Sequence, residues 1–286
     1  MPTLQDIRRR IRSVKKTQQI TRAMRMVAGA KLRRAQDVIV AARPYADLMH
    51  ETLAEVARAQ PEAEHPLLVA RPEVRVVEAV VVTSDRGLCG AFNANVIKYA
   101  DRMLSQRAQQ GQRVSLTCAG RKGADFFRRR RPGELRASHP QDGWVTPAKA
   151  AAIAREVSAR FVAGEADEVV LVYSEFVTAL TQRPLELRLL PFAPPEPEGT
   201  RPLPFEIEPS PEKLLEVLVP KAVEAMVLRA LLENQAGEHA ARMAAMESAT
   251  RNTEELISKL TLQFNRARQA AITKELVEIV SGAEAL

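Results

Sequence analysis

The chain has 286 residues, 46% of them apolar and 4% aromatic, enough to bury a core in one or two domains and a composition that leans to long helices over all-β architecture. Two cysteines, Cys89 and Cys118, offer no disulfide framework, and no run approaches the roughly 20 apolar residues of a membrane-spanning helix or the apolar core of a secretion signal. The net charge of +7 is unevenly placed: residues 1 to 36 hold eleven Lys or Arg against Asp6 alone, a balance of +10 that leaves −3 for the remainder, so the positive potential belongs to one element.

In chain order, the first predicted element is a helix over 1–58. Heptads with Leu4 at position a and Ile7 at d run through Ile11, Val14, Ala28, Leu32, Ala35, Ile39, Ala42, Ala46, Met49, Leu53 and Val56, with Gln18, Thr21 and Arg25 as the polar exceptions. A seam this long predicts a coiled coil of about 80 Å. Pro44 lies inside it and predicts a kink or a loosened turn.

A central α/β domain is predicted at 72–192. Its elements are strand 74–83, helix 93–109, strand 113–119, a basic helix 121–131, helix 147–162, strand 168–176 and a hairpin partner at 184–190. Eight prolines between Pro191 and Pro211 then mark a proline-rich linker at 193–210. The last element is a second coiled-coil helix at 211–286, with Ser210 as cap, Pro211 in the first turn, Pro220 as a kink or restart and Gly282 as the stop. Its seam is wetter: Ala236, His239, Met243, Met246, Thr250, Thr253, Ile257, Leu260, Phe264, Ala267, Ala271. Two helices of this length each need a partner for their stripe, so an antiparallel pairing projecting from the middle domain is the economical fold.

The chemistry of an active site is not legible. The turn Thr83–Gly90 follows a strand and precedes a helix, where phosphate loops occur, but neither GxGxxG nor GxxxxGK[ST] is present, which favours a structural turn. His50, His65, His139 and His239 are scattered without metal-ligand spacing, and no cofactor, metal or catalytic residue is expected. His239 falls in the seam and is expected to be packed or hydrogen-bonded. A nucleic-acid reading of the basic helix fails because its apolar seam runs through the basic segment, and no aromatic precedes Tyr45 to stack on bases. An acidic protein partner fits better, met by Arg8, Arg9, Arg33 and Arg34.

Three blocks carry a resemblance. Lys15–Ala28 followed by Lys31–Gln36, Thr83–Asn93, and Glu238–Met246 with Ala249–Asn252 and Asn265–Thr273 are similar, in order and over nearly the whole chain, to the gamma subunits of F-type ATP synthases. The resemblance implies a non-catalytic central-stalk rotor. Its paired helices would fill the axis of a hexamer of alpha and beta subunits, and its α/β domain would join the epsilon subunit and the membrane c-ring. Arg268, Gln269 and Thr273 resemble the family's contacts to a loop of one beta subunit, with Arg242 a further candidate and Ile279 and Val280 near the bearing end. The expected place is the cytoplasmic face of a bacterial plasma membrane, held through the complex. A structural coiled-coil adaptor without a rotary role is the alternative. The stretch Arg128–Arg131 matches no family motif.

Overall fold

The computed structural model describes residues 3–59, 65–193 and 210–284. They fall into two compact units, Met1–Gly29 with Arg242–Leu286, and Ala30–Ala241. The division cuts both long helices internally, whereas the sequence suggests boundaries near 58 and 211.

Helix α1 (Leu4–Ala59) starts on a reciprocal cap. Thr3 donates from its backbone N (3.2 Å) and its hydroxyl (2.7 Å) to Asp6 Oδ2, and the Asp6 N–H donates back to Thr3 Oγ1, which satisfies donors the first turn would leave open. Helix α5 (Pro211–Glu284) starts where expected, with the Lys213 N–H donating to Ser210 Oγ at 3.4 Å. One punctuation mark, the stop at Gly282, acts more weakly than predicted. Both helices run uninterrupted through Pro44 and Pro220, and α5 continues past Gly282 to Glu284. A proline removes one backbone donor and crowds one turn, but Val219, Ala222 and Val223 beside Pro220 are buried, so packing holds that turn in place.

The unit Ala30–Ala241 is built on a five-stranded sheet: β1 (Val76–Val82), β2 (Arg113–Ala119), β3 (Leu135–His139), β4 (Glu168–Phe176) and β5 (Gln182–Leu190), in the order β3-β2-β1-β4-β5. The first four strands are parallel and β5 is antiparallel to β4. Strand β3 is absent from the sequence reading. Its segment Leu-Arg-Ala-Ser-His carries no strong apolar run and is only half-buried, as suits an edge strand,. Helices α2 (Phe92–Gln109) and α3 (Arg121–Arg130) cover one face, with Phe127, Leu104 and Val96 packed on Val77, Ala79 and Val81. Helix α4 (Pro147–Val162) covers the other, where Phe161 and Val157 share a core with Leu53 and Val56 of α1 and Val223, Val227 and Leu231 of α5. The predicted linker lies, apart from Ala193 and Ser210, outside the described residues.

An ion pair sits inside this core. Glu78, in the middle of the apolar β1, is fully buried. It accepts from Arg160 Nε of α4 at 2.9 Å and from the Thr117 hydroxyl at 2.7 Å. Arg160 also reaches Glu156 at 2.6 Å. Burial works against the Glu156 carboxylate, but the hydrogen bond and charge of Arg160 outweigh it and hold its pKa below the usual value.

Candidate partner-contact surfaces of the helix pair

In the unit Met1–Gly29 with Arg242–Leu286, the predicted seams face each other. From Leu4 to Ala28 every seam position of α1 is buried or half-buried, and from Thr253 to Ala271 the buried or half-buried residues of α5 are the predicted seam residues. The three polar exceptions of α1 each meet α5. Gln18 Nε2 donates to Glu254 Oε1 at 3.1 Å, the Thr21 and Thr250 hydroxyls lie 2.9 Å apart, and Arg25 pairs with Glu247. Partners descend along α5 as they ascend along α1, so the pair is antiparallel. The hydrogen bond of Arg25, opposed by desolvation and aided by the charge of Arg25 and by Arg251, lowers the Glu247 pKa. Polar pairs matched at single seam positions fix register, since a slip would leave them unpaired.

The residues expected to meet partners lie outside this seam. Arg268, Gln269 and Thr273 are exposed on α5, and Gln269 and Thr273, four residues apart, share one face,. Arg268 stands about 100° away round the helix. Arg242 is half-buried. Ile279 and Val280 are 68% and 56% exposed. On α1, Arg8 and Arg9 are exposed. A run of donors without acceptor capacity, beside a Gln that can both donate and accept, suits directional hydrogen bonding to carboxylates and carbonyls.

Within the unit Ala30–Ala241, Arg33 is exposed, and so is Arg34, which also makes a contact within the chain. Its guanidinium carbon lies 4.3 Å from the centroid of the Trp144 ring, a cation–π contact. Trp144 also meets the ring of buried His239 edge-on, at 6.1 Å between centroids. His239 is thus packed, as its seam position suggests. The sequence reading missed Trp144. Its one signal was that the chain holds a single tryptophan, placed in a loop.

The turn after β1 is a self-contained knot. Asn93 Oδ1 accepts from the Ser84 N–H at 2.9 Å, the Asn93 amide donates to Ser84 Oγ at 2.8 Å, and the Ser84 hydroxyl reaches Arg86 O at 2.8 Å. Asp85 Oδ1 accepts from the N–H of Arg121 at 2.8 Å. Gly120, at φ +117°, lies so close that a Cβ there would stand 2.2 Å from Thr83 O, so no other residue fits. Ser84 and Asn93 tie the turn to the start of α2 and Asp85 ties it to α3, so it serves as a strand-to-helix connector. The Arg-rich stretch also has local work: Arg131 bridges Asp101 (2.7 Å) and Ser105 (2.6 Å), while Arg128 pairs with Asp125 at 3.2 Å.

An antiparallel helix pair joined to an open, mostly parallel α/β sheet is the architecture of a stalk subunit. Residues 3–286 match the family model described as ATP synthase. The chain is 52% identical over 290 residues to the ATP synthase gamma chain of Anaeromyxobacter sp. (strain Fw109-5), and 50% identical over 288 residues to that of Desulforamulus reducens, with all of each chain covered. Among solved structures, a chain of the Tetrahymena thermophila mitochondrial ATP synthase central stalk and c-ring superposes with a TM-score of 0.62 at 28% identity, over 80% of this chain and 99% of that one. A chain of the Euglena gracilis mitochondrial ATP synthase shares the fold, with a TM-score of 0.69 at 19% identity over 99% and 94% of the two chains. The chain belongs to the ATP synthase gamma chain family. The central-stalk reading of the sequence therefore holds, and no observation favours a free-standing coiled-coil adaptor.

Proposed function

We propose that the chain is the non-catalytic rotor of a bacterial ATP synthase, working on the cytoplasmic face of the plasma membrane. Its helix pair turns inside a hexamer of alpha and beta subunits, and its α/β unit joins the epsilon subunit and the c-ring. Coupling is a matter of differential contact. As the shaft turns, each beta subunit meets a different side of it, and a side that binds the closed form more tightly than the open form shifts that subunit's equilibrium. Arg268, Gln269 and Thr273 act as a hydrogen-bonding catch for one beta subunit, with Arg242 as a further contact. Arg8, Arg9, Arg33 and Arg34 supply positive surface toward acidic partners, and Ile279 and Val280 serve as an apolar bearing.

The observation that carries this reading is the separation of roles on α5. Its seam is satisfied by α1, while Arg268, Gln269 and Thr273 point outward with their hydrogen-bonding capacity on the surface. Replacing Arg268 and Gln269 together by Ala keeps the helix, because Ala is a good helix former. The double variant is expected to lower hexamer yield or proton-driven ATP synthesis by about tenfold, the effect of losing one or two charge-assisted hydrogen bonds. Circular dichroism serves as the folding control. Parental values in both assays would remove these residues from the contact surface.

A further inference from the structure

In doubly wound sheets the ligand crevice lies at the C-terminal ends of the parallel strands, where successive connections diverge to opposite sides. In the order β3-β2-β1-β4-β5 that point falls between β1 and β4. The connection leaving β1 leads to Phe92, and the one leaving β4 leads to Gln182, which pairs with Phe176. Both residues close on Gly237 of α5: a Cβ built there would stand 2.8 Å from Phe92 Cε2 and 3.4 Å from Gln182 Cγ. The crevice where such a fold would seat a ligand is filled by the chain's own helix.

The connection after β3 reaches the same helix from elsewhere. Gln235 Nε2 donates to Gly143 O at 3.1 Å, and Trp144 meets both His239 of α5 and Arg34 of α1. Lys149 of α4 steadies this loop by donating to Trp144 O at 3.1 Å and to Asp142 O. Residues 235 and 239 share a helix face, whereas 237 lies about 200° round the helix from 235. Helix α5 is therefore gripped on opposite faces. That accounts for the unbroken burial of Leu231 to Gly237, unusual for a stretch that includes Glu233, Asn234 and Gln235.

We infer that the three connections form a collar locking α5 in rotation about its own axis relative to the sheet, with Phe92 and Trp144 as positioning residues on its two jaws. Apolar burial is non-directional and tolerates slip. A ring against a glycine and a hydrogen bond on the opposite face fix an angle. Transmission of torque through this collar rests on the rotor reading above, but the collar itself does not.

Hydrogen exchange on the full chain, without other subunits, tests the collar. Trp144→Ala is expected to speed exchange of the amides of 231–240 about tenfold while leaving 250–260 unchanged, the mark of local loosening. No change, or an equal change in both segments, overturns it. Gly237→Ala gives a second reading with an inverted sign. Ala ordinarily stabilises a helix relative to Gly, yet here it should lower the thermal midpoint, and Phe92→Leu in the same chain should recover part of the loss. A raised midpoint contradicts the close jaw. In the assembled synthase, Trp144→Ala should reduce proton-driven synthesis by a larger factor than ATP hydrolysis, with Trp144→Phe intermediate. Loosened exchange with unchanged coupling refutes the torque role. If the parent chain supports no rotation, the rotor reading fails and exchange alone decides the collar.

Discussion

Two arginine–glutamate pairs, one in each unit, use the same chemistry under different conditions. In the sheet unit Arg160 and Glu78 have side chains 14% and 1% exposed, whereas in the helix pair Arg25 and Glu247 are each 34% exposed. The buried pair is supplemented by Thr117 and Glu156, because a carboxylate in an apolar strand must have its lone pairs met. The seam pair stays partly hydrated, and its Coulomb attraction is screened. The sheet unit thus invests polar groups in a fixed core, while the helix pair uses them to set register and leaves its outer surface open for partners.

The largest expected effect breaks the buried member of the comparison. Arg160→Ala leaves Glu78 enclosed without its cation, with Thr117 as its remaining partner, and should cost about 3–5 kcal/mol in urea unfolding. A loss under about 1 kcal/mol would mean the pair is hydrated in solution. Replacing Thr21 and Thr250 together by Val sharpens the contrast from the other side. Removing both partners of a buried hydroxyl pair while keeping shape should be neutral or stabilising by up to about 1 kcal/mol. A marked loss would show that this layer holds the pair together instead of merely aligning it.

The smallest effect concerns acid. The folded pKa of Glu247 is depressed, so its contribution is present above the ordinary Glu value and is lost as pH falls through the folded value,. Glu247→Gln should leave stability at pH 7 nearly unchanged, since the pair is solvent-screened, and flatten the acid limb of the urea midpoint of the helix pair. An unchanged acid limb would assign that limb to other carboxylates such as Asp6, whose pKa the Thr3 hydroxyl also depresses.

How much of this was readable in advance depended on whether the signal was local. Heptad spacing identified the seam residues on both helices, and β4 emerged from a continuous apolar, β-branched run. Strand β3 did not, because an edge strand pairs on one side and needs little apolar content. Glu78 was read as part of an apolar run, since nothing local announces that Arg160, 82 residues away, will meet it. Gly282 misled because the cost of one glycine in a helix, about 1 kcal/mol, does not by itself end the helix. The outward position of Arg268, Gln269 and Thr273 followed from the seam, but the capture of Arg34 by Trp144 required a loop from a different part of the chain.

The central claim is that this chain turns as a unit inside its complex. A bead fixed to the α/β unit of the chain, assembled with alpha and beta subunits held on a surface, reports it directly under the microscope. The account predicts sustained rotation in one direction while ATP is hydrolysed, ceasing when ATP is removed. Hydrolysis with a bead that stays fixed would contradict it.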